Sequence, residues 1–105
     1  MEKNEIIVKD IINSKIAIND EDGDKVFNII KEKANKNLDP IILNFDGIDL
    51  VNTAFLNNAV GKLFDSALFD LKANRVLIQN MSSDKLELLK ETISVARDKY
   101  INIYN

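Results

Sequence analysis

Pro40-Ile41-Ile42-Leu43-Asn44-Phe45-Asp46-Gly47 decides how this chain is read. From Ile41 to Phe45 the apolar character is nearly continuous, which is how a strand covered on both faces reads, and Asp46-Gly47 closes it with a turn. A strand of that kind is the central strand of an α/β sheet. Upstream, Val26, Phe27, Ile30 and Ala34 fall at helical spacing and predict a helix from about Asp24 to Lys36, ending at Asn37 before Pro40. The acidic run Asn19-Asp20-Glu21-Asp22-Gly23-Asp24 reads as a turn that feeds the positive end of that helix. Downstream, Ile48 to Val51 leads to Asn52-Thr53, whose side-chain oxygens suit a helix start. Phe55, Leu56, Ala59, Val60, Leu63, Phe64, Ala67 and Leu68 then form paired i, i+4 rows, a wide buried face.

Working outward, Glu5 to Ile12 is rich in β-formers and predicts a strand. Asn13-Ser14-Lys15 supplies a turn, and Ile16-Ala17-Ile18 a second strand paired with the first as a hairpin. Toward the other end, Lys72-Ala73-Asn74 breaks the helical pattern and Arg75 to Asn80 reads as a further strand. Ser82-Ser83-Asp84 opens a last helix whose apolar stripe is Leu86, Leu89, Ile93, Ala96, Tyr100 and Ile103. The order β-β-α-β-α-β-α predicts one α/β domain over residues 1–105, a mixed four-stranded β-sheet with a leading β-hairpin and packed α-helices.

Composition narrows the chemistry. The chain has no Cys and no His, so it cannot build a disulfide framework, a zinc finger, a thiol nucleophile, a Ser-His-Asp triad or an imidazole base. Its net charge of −3 leaves no basic field to gather phosphates, which argues against nucleic acid as a partner. Gly23, Gly47 and Gly61 are isolated, so no glycine-rich phosphate loop exists. The charged amino terminus does not match a secretory signal, and no apolar stretch approaches the roughly 20 residues that span a bilayer. The expectation is a cytoplasmic protein with no membrane partner and no cofactor. Its heavy use of Asn, Lys and Ile fits an A/T-rich bacterial or phage genome.

Phe45-Asp46-Gly47, then Asn52-Thr53-Ala54-Phe55, then a short strand ending in Asn80 together resemble the STAS-like family, bacterial domains related to the anti-sigma factor antagonists. The resemblance covers the chain from Gly23 to the final helix. It implies a STAS-like fold and a non-catalytic regulatory module that docks a protein partner, of the ATP-binding anti-sigma factor or sensor-kinase kind. Asp46, Gly47, Asp49, Asn52, Thr53, Phe55, Asn57 and Asn58 would form the contact surface. An antagonist shows Asp-Ser-Ser-Gly or Asp-Ser-Thr-Gly where this chain has Val51-Asn52-Thr53-Ala54, so only Thr53 retains a hydroxyl. Asn57 and Asn58 stand where acidic residues are common in the family, and Asp20, Glu21 and Asp22 where an Arg is often found.

Thr53 has two compatible readings. As a phosphorylation site it would gain about −1.5 to −2 charges at the docking face, switching affinity. As a structural residue, Thr53 or Asn52 caps the helix. A Ca²⁺ loop over Asp20–Asp24 fails in register: with Gly23 at the sixth position, Ile18 is first and Ile29 last, where carboxylates are needed. Asp46 and Asp49 lack an accompanying nucleophile, oxyanion donor or cofactor motif, so no catalytic residues and no metal ligands are assigned. Leu88, Thr92 and Val95 form a second row on the last helix that is either core or a contact surface, and Tyr104 with Tyr100 and Ile103 belongs to that surface or anchors the terminus. A homodimer is compatible with such a row. Two rival functions remain open: a small-ligand or anion-binding domain using the helix start near Thr53, and a phage or mobile-element inhibitor of a host protein.

Overall fold

The computed structural model describes residues 4–64 and 76–104, with side chains described at 4–63 and 76–94. In chain order the elements are β1 (Glu5–Ile7), α1 (Val8–Ile12), β2 (Ile16–Ala17), α2 (Asp20–Asn35), β3 (Ile41–Asn44), β4 (Leu50–Val51), α3 (Thr53–Ala59), a 3₁₀ turn (Gly61–Phe64), β5 (Val76–Gln79) and α4 (Ser83–Tyr104). β3 is central, as its sequence predicts. It pairs in parallel with β1 and with β5, in a register that places Ile6, Leu43 and Ile78 side by side.

The leading hairpin does not form. A short apolar run does not discriminate strand from helix, and burial decides here. Continuing β1 as a strand would line up Ile6, Val8, Asp10 and Ile12 on one face and drive a carboxylate into the core. Turning into α1 buries Val8 and Ile12, one helical turn apart, and leaves Asp10 exposed. Asn13 ends α1 in the left-handed conformation, φ 54°, which Asn tolerates. β2 then pairs in parallel with β4, Ile16 beside Leu50 and Ala17 beside Val51, and not with β1. Among the described residues the strands therefore form a three-stranded and a two-stranded parallel sheet, in place of one mixed four-stranded sheet.

α2 begins four residues before the predicted start. Asn19 is its N-cap, the side-chain oxygen accepting from the Asp22 N–H at 2.8 Å, so the acidic residues form the first helical turn where the dipole favours them. Gly23 disguised this in the sequence. It is buried where α2 crosses α3: a Cβ there would lie 2.7 Å from the Phe55 carbonyl oxygen and 2.8 Å from the Asn58 Cβ. The other end of α2 follows expectation, with Asn37 at φ 62° and N–H bonds from Asn37 to the Ala34 carbonyl and from Leu38 to the Lys33 carbonyl.

The core gathers Ile6, Val8, Val26, Ile30, Ile41, Leu43, Phe45, Phe55 and Leu56, all buried. Full burial of each such side chain contributes roughly 1.5–3 kcal/mol. Phe45 meets Phe55 edge to face, centroids 6.5 Å apart and planes at 86°. Among the described residues β3 is fully buried on one face only, against the expectation of cover on both. Ile41 and Leu43 are buried, while Ile42 is half-buried and its neighbour Leu77 is 45% exposed. The long helix expected from Asn52 through Leu68 stops at Ala59 and becomes a 3₁₀ turn; Ala67, Leu68, the break at 72–74 and Arg75 lie outside the described residues. On α4, Leu89 and Thr92 are buried and Leu88 is half-buried against the core, so that part of the second row is core, with the Thr92 hydroxyl donating to the Leu88 carbonyl. The side chains of Val95, Ala96, Tyr100, Ile103 and Tyr104 lie outside the described ones. Among the described residues no helix is long and apolar enough to cross a membrane.

Candidate functional site

The site begins where β3 ends. Phe45 anchors the chain in the core, and Asp46-Gly47 turns it, the Ile48 N–H donating to the Phe45 carbonyl at 3.1 Å. Gly47 has φ +82°, the conformation a type II turn demands at its third residue. Asn44 braces this turn. Its side-chain oxygen accepts from the Asp46 N–H and from the Asn80 side-chain amide, each at 2.9 Å, while its own amide donates to the Glu5 carboxylate at 3.1 Å. The carboxyl ends of β3 and β5, and the side chain of Glu5 at the amino end of β1, are thereby tied to the loop. Asn80 stood out in the sequence by its place in the motif, whereas Asn44 sat unremarked inside an apolar run.

β4 carries the chain from the turn to α3. The Asp49 N–H donates to the Lys15 carbonyl and the Asn52 N–H to the Ala17 carbonyl, holding the loop against β2. Asn52 is the N-cap of α3: its side-chain oxygen accepts from the Phe55 N–H at 3.0 Å and its amide donates to the Ile18 carbonyl at 2.9 Å. The capping role thus falls to Asn52 and leaves the Thr53 hydroxyl free of it. Thr53 is the first helical residue and is exposed.

Asp46, Gly47, Asp49, Thr53 and Asn57 are all exposed. Asn52 and Asn58 are half-buried, the Asn58 amide donating to the Asp20 carbonyl at 3.3 Å. Phe55 is the exception among the predicted contact residues. It has no exposed surface, because the cap turns its side chain toward Phe45, so it holds the helix in place and cannot touch a partner.

Sequence reasoning missed three residues. Ile16 is 39% exposed, Ile18 41% and Leu50 51%, while the intervening Ala17 and the following Val51 are buried. Ile16 and Leu50 are therefore register partners on the outer face of the two-stranded sheet, and Ile18, just past β2, continues the alternation of exposure beside Asn52, whose amide donates to its carbonyl. The signal was available as period-2 alternation, but it needed the β2–β4 pairing to be seen.

The electrostatics around this face are mixed with an acidic excess. Asp20, Glu21, Asp46 and Asp49 are exposed, and among the described residues Lys15 is exposed while Lys9 lies across Gly47. The acidic run carries no calcium-like arrangement: Asp22 pairs with Lys25 at 3.5 Å and Asp24 with Lys62. Among the described residues no group of three or more acidic side chains converges as metal ligands do. α3 has seven residues, and the carboxylates near its start disfavour an anion.

No curated protein and no solved structure gives a significant match to this chain. A family model does: that of the STAS-like domain of unknown function (DUF4325) matches residues 22–86, more than half of the chain, and contains the whole loop from Asp46 to Asn58. The chain belongs to this family of STAS-like domains.

Proposed function

We propose that the protein is a non-catalytic regulatory module that docks another protein through the β2–β4 face and the loop leading into α3. The observation that carries this reading is the exposed aliphatic trio Ile16, Ile18 and Leu50, with Asp49 preceding Leu50 and the Asn52 amide bonded to the Ile18 carbonyl, and with Asp46, Thr53 and Asn57 also exposed along the loop and helix start. An apolar centre with a polar rim is the anatomy of a protein interface, and water-exposed aliphatic neighbours gain by being covered. The STAS-like resemblance favours an ATP-binding anti-sigma factor or sensor kinase as partner. Function would then be occupancy, with affinity as the regulated quantity. Phosphate on Thr53 would add about −1.5 to −2 charges beside Asp49, opposing burial of the face.

Photo-crosslinkers at positions 50 and 90 in the native cell test this, Lys90 being an exposed α4 residue. The expected result is a defined adduct from position 50 that is lost on Ile16→Asp, and none from position 90. Adducts from both positions, or none from position 50, would remove the basis of the proposal. Mass spectrometry of the same material reads phosphate on Thr53 directly.

A further inference from the structure

The chain contains two Asp-Gly dipeptides, Asp22-Gly23 and Asp46-Gly47, and the fold treats them oppositely. At the first, the Asp22 N–H is held by the Asn19 side chain at 2.8 Å and the Gly23 N–H by the Asn19 carbonyl at 3.2 Å. The Asp22 carboxylate faces Lys25, and Gly23 is packed against the α3 backbone. At the second, Asp46 and Gly47 are both exposed, in a turn outside any helix or strand. The Asp46 N–H is held by the Asn44 side chain at 2.9 Å, as that of Asp22 is by Asn19, but among the described residues neither the Gly47 N–H nor the Asp46 carboxylate, the two groups that react, has a hydrogen-bond partner. Gly47 places no side chain beside its own nitrogen, and its conformation is one that glycine leaves easily.

We propose that Asp46-Gly47 is a site of spontaneous isomerisation to isoaspartate, and that helix capping and packing shield Asp22-Gly23 from the same reaction. The Gly47 backbone nitrogen attacks Cγ of the Asp46 carboxyl. A C–N bond forms, the nitrogen gives up its proton, and a carboxyl oxygen departs as water, leaving a five-membered succinimide. Water then adds to one of the two ring carbonyls. Opening at Cγ restores aspartate; opening at the main-chain carbonyl routes the backbone through Cγ and leaves the carboxylate on Cα. The cycle consumes and returns one water and needs no other reactant. Ring closure requires the Gly47 nitrogen to approach the side chain, a rotation that the exposed turn permits and that the first turn of α2 permits only by opening.

Isomerisation adds one methylene to the main chain inside the turn that the Ile48 N–H to Phe45 carbonyl bond closes, and moves a carboxylate on the loop's surface. That this lowers partner affinity rests on the docking function proposed above; the chemistry does not.

The test is to hold the full chain at physiological temperature and neutral pH for weeks, natively and in concentrated urea, then quantify isoaspartate at residues 22 and 46. Peptide mapping does this through retention shifts without mass change and diagnostic fragment ions. Natively, residue 46 is expected to exceed residue 22 by at least about tenfold, the ratio that ~1.4 kcal/mol of barrier difference produces. In urea the two should converge. Equal native rates overturn the proposal, and so does a native excess that persists undiminished in urea, since that would be an effect of sequence and not of fold. Asp46→Glu should abolish the signal at 46, and Asn19→Ala should raise the one at 22. A crosslinking failure at position 50 would leave these ratios untouched, so the two proposals fall separately.

Discussion

Replacing Gly23 by Ala sets two effects of similar size against each other. Alanine favours a helix over glycine by up to about 1 kcal/mol, so on local grounds the change should stabilise α2. The new Cβ, however, would lie 2.8 Å from the Asn58 Cβ and 2.7 Å from the Phe55 carbonyl oxygen. Carbon pairs attract at about 3.5–4.0 Å, so the first contact is ~0.7 Å too short. Neither neighbour is the free end of a flexible side chain: one is a carbonyl in the body of α3 and the other a Cβ fixed to it. The two helices must separate, and overpacking of this kind costs about 1–3 kcal/mol. Packing outweighs propensity, and Gly23→Ala should lose up to about 2 kcal/mol net. Urea unfolding followed by far-UV circular dichroism would show a lower midpoint with an unchanged slope. Gly61→Ala is the internal control, because its Cβ would meet nothing closer than the Asn57 side-chain oxygen at 3.5 Å; it should change stability by less than about 1 kcal/mol. A Gly23→Ala protein as stable as the parent, or more so, would refute the account of the α2–α3 crossing.

Asn52→Ala removes both the cap on Phe55 N–H and the bond to the Ile18 carbonyl, and should cost about 1–2 kcal/mol by urea titration. Thr53→Ala should stay within about 0.5 kcal/mol of the parent, since Thr53 is exposed and does not cap. Phe55→Ala should cost ~3–5 kcal/mol as a core deletion; a mild effect, with thermal unfolding unchanged, would return Phe55 to the surface. The Asp84 carboxyl is held below its ordinary value, first by the Ser82 hydroxyl that donates to it at 2.6 Å and then by its own backbone N–H. A depressed carboxyl pKa favours the folded state above the unfolded value, and that preference fades as pH falls through the folded one. NMR titration should therefore show Asp84 protonating at higher pH in Ser82→Ala than in the parent, and acid should loosen the start of α4 earlier.

Much of this architecture was legible in the chain itself. The apolar run Ile41–Phe45 announced a central strand, and the Gly47 turn, the helix-spaced Val26, Phe27 and Ile30, and the αL stop at Asn37 are local features set by side-chain periodicity and backbone sterics. Such signals depend on residues a few positions apart, so sequence carries them complete. The motif around Asn52-Thr53 likewise marked the loop that the fold presents to solvent, because capping and exposure at a helix start follow from the same few residues. What only tertiary structure decided were choices between near-equal local options. Val8–Ile12 reads as strand or helix until the exposure of Asp10 matters, and β2 pairs with β4 across more than thirty intervening residues. Gly23 looks like a turn residue until α3 is laid against it, and Phe55 looks like a contact residue until Phe45 covers it. The outward trio Ile16, Ile18 and Leu50 exists only once two distant strands share a register. Pairing and packing energies accrue between segments remote in the chain, and a linear reading has no access to which segments those are.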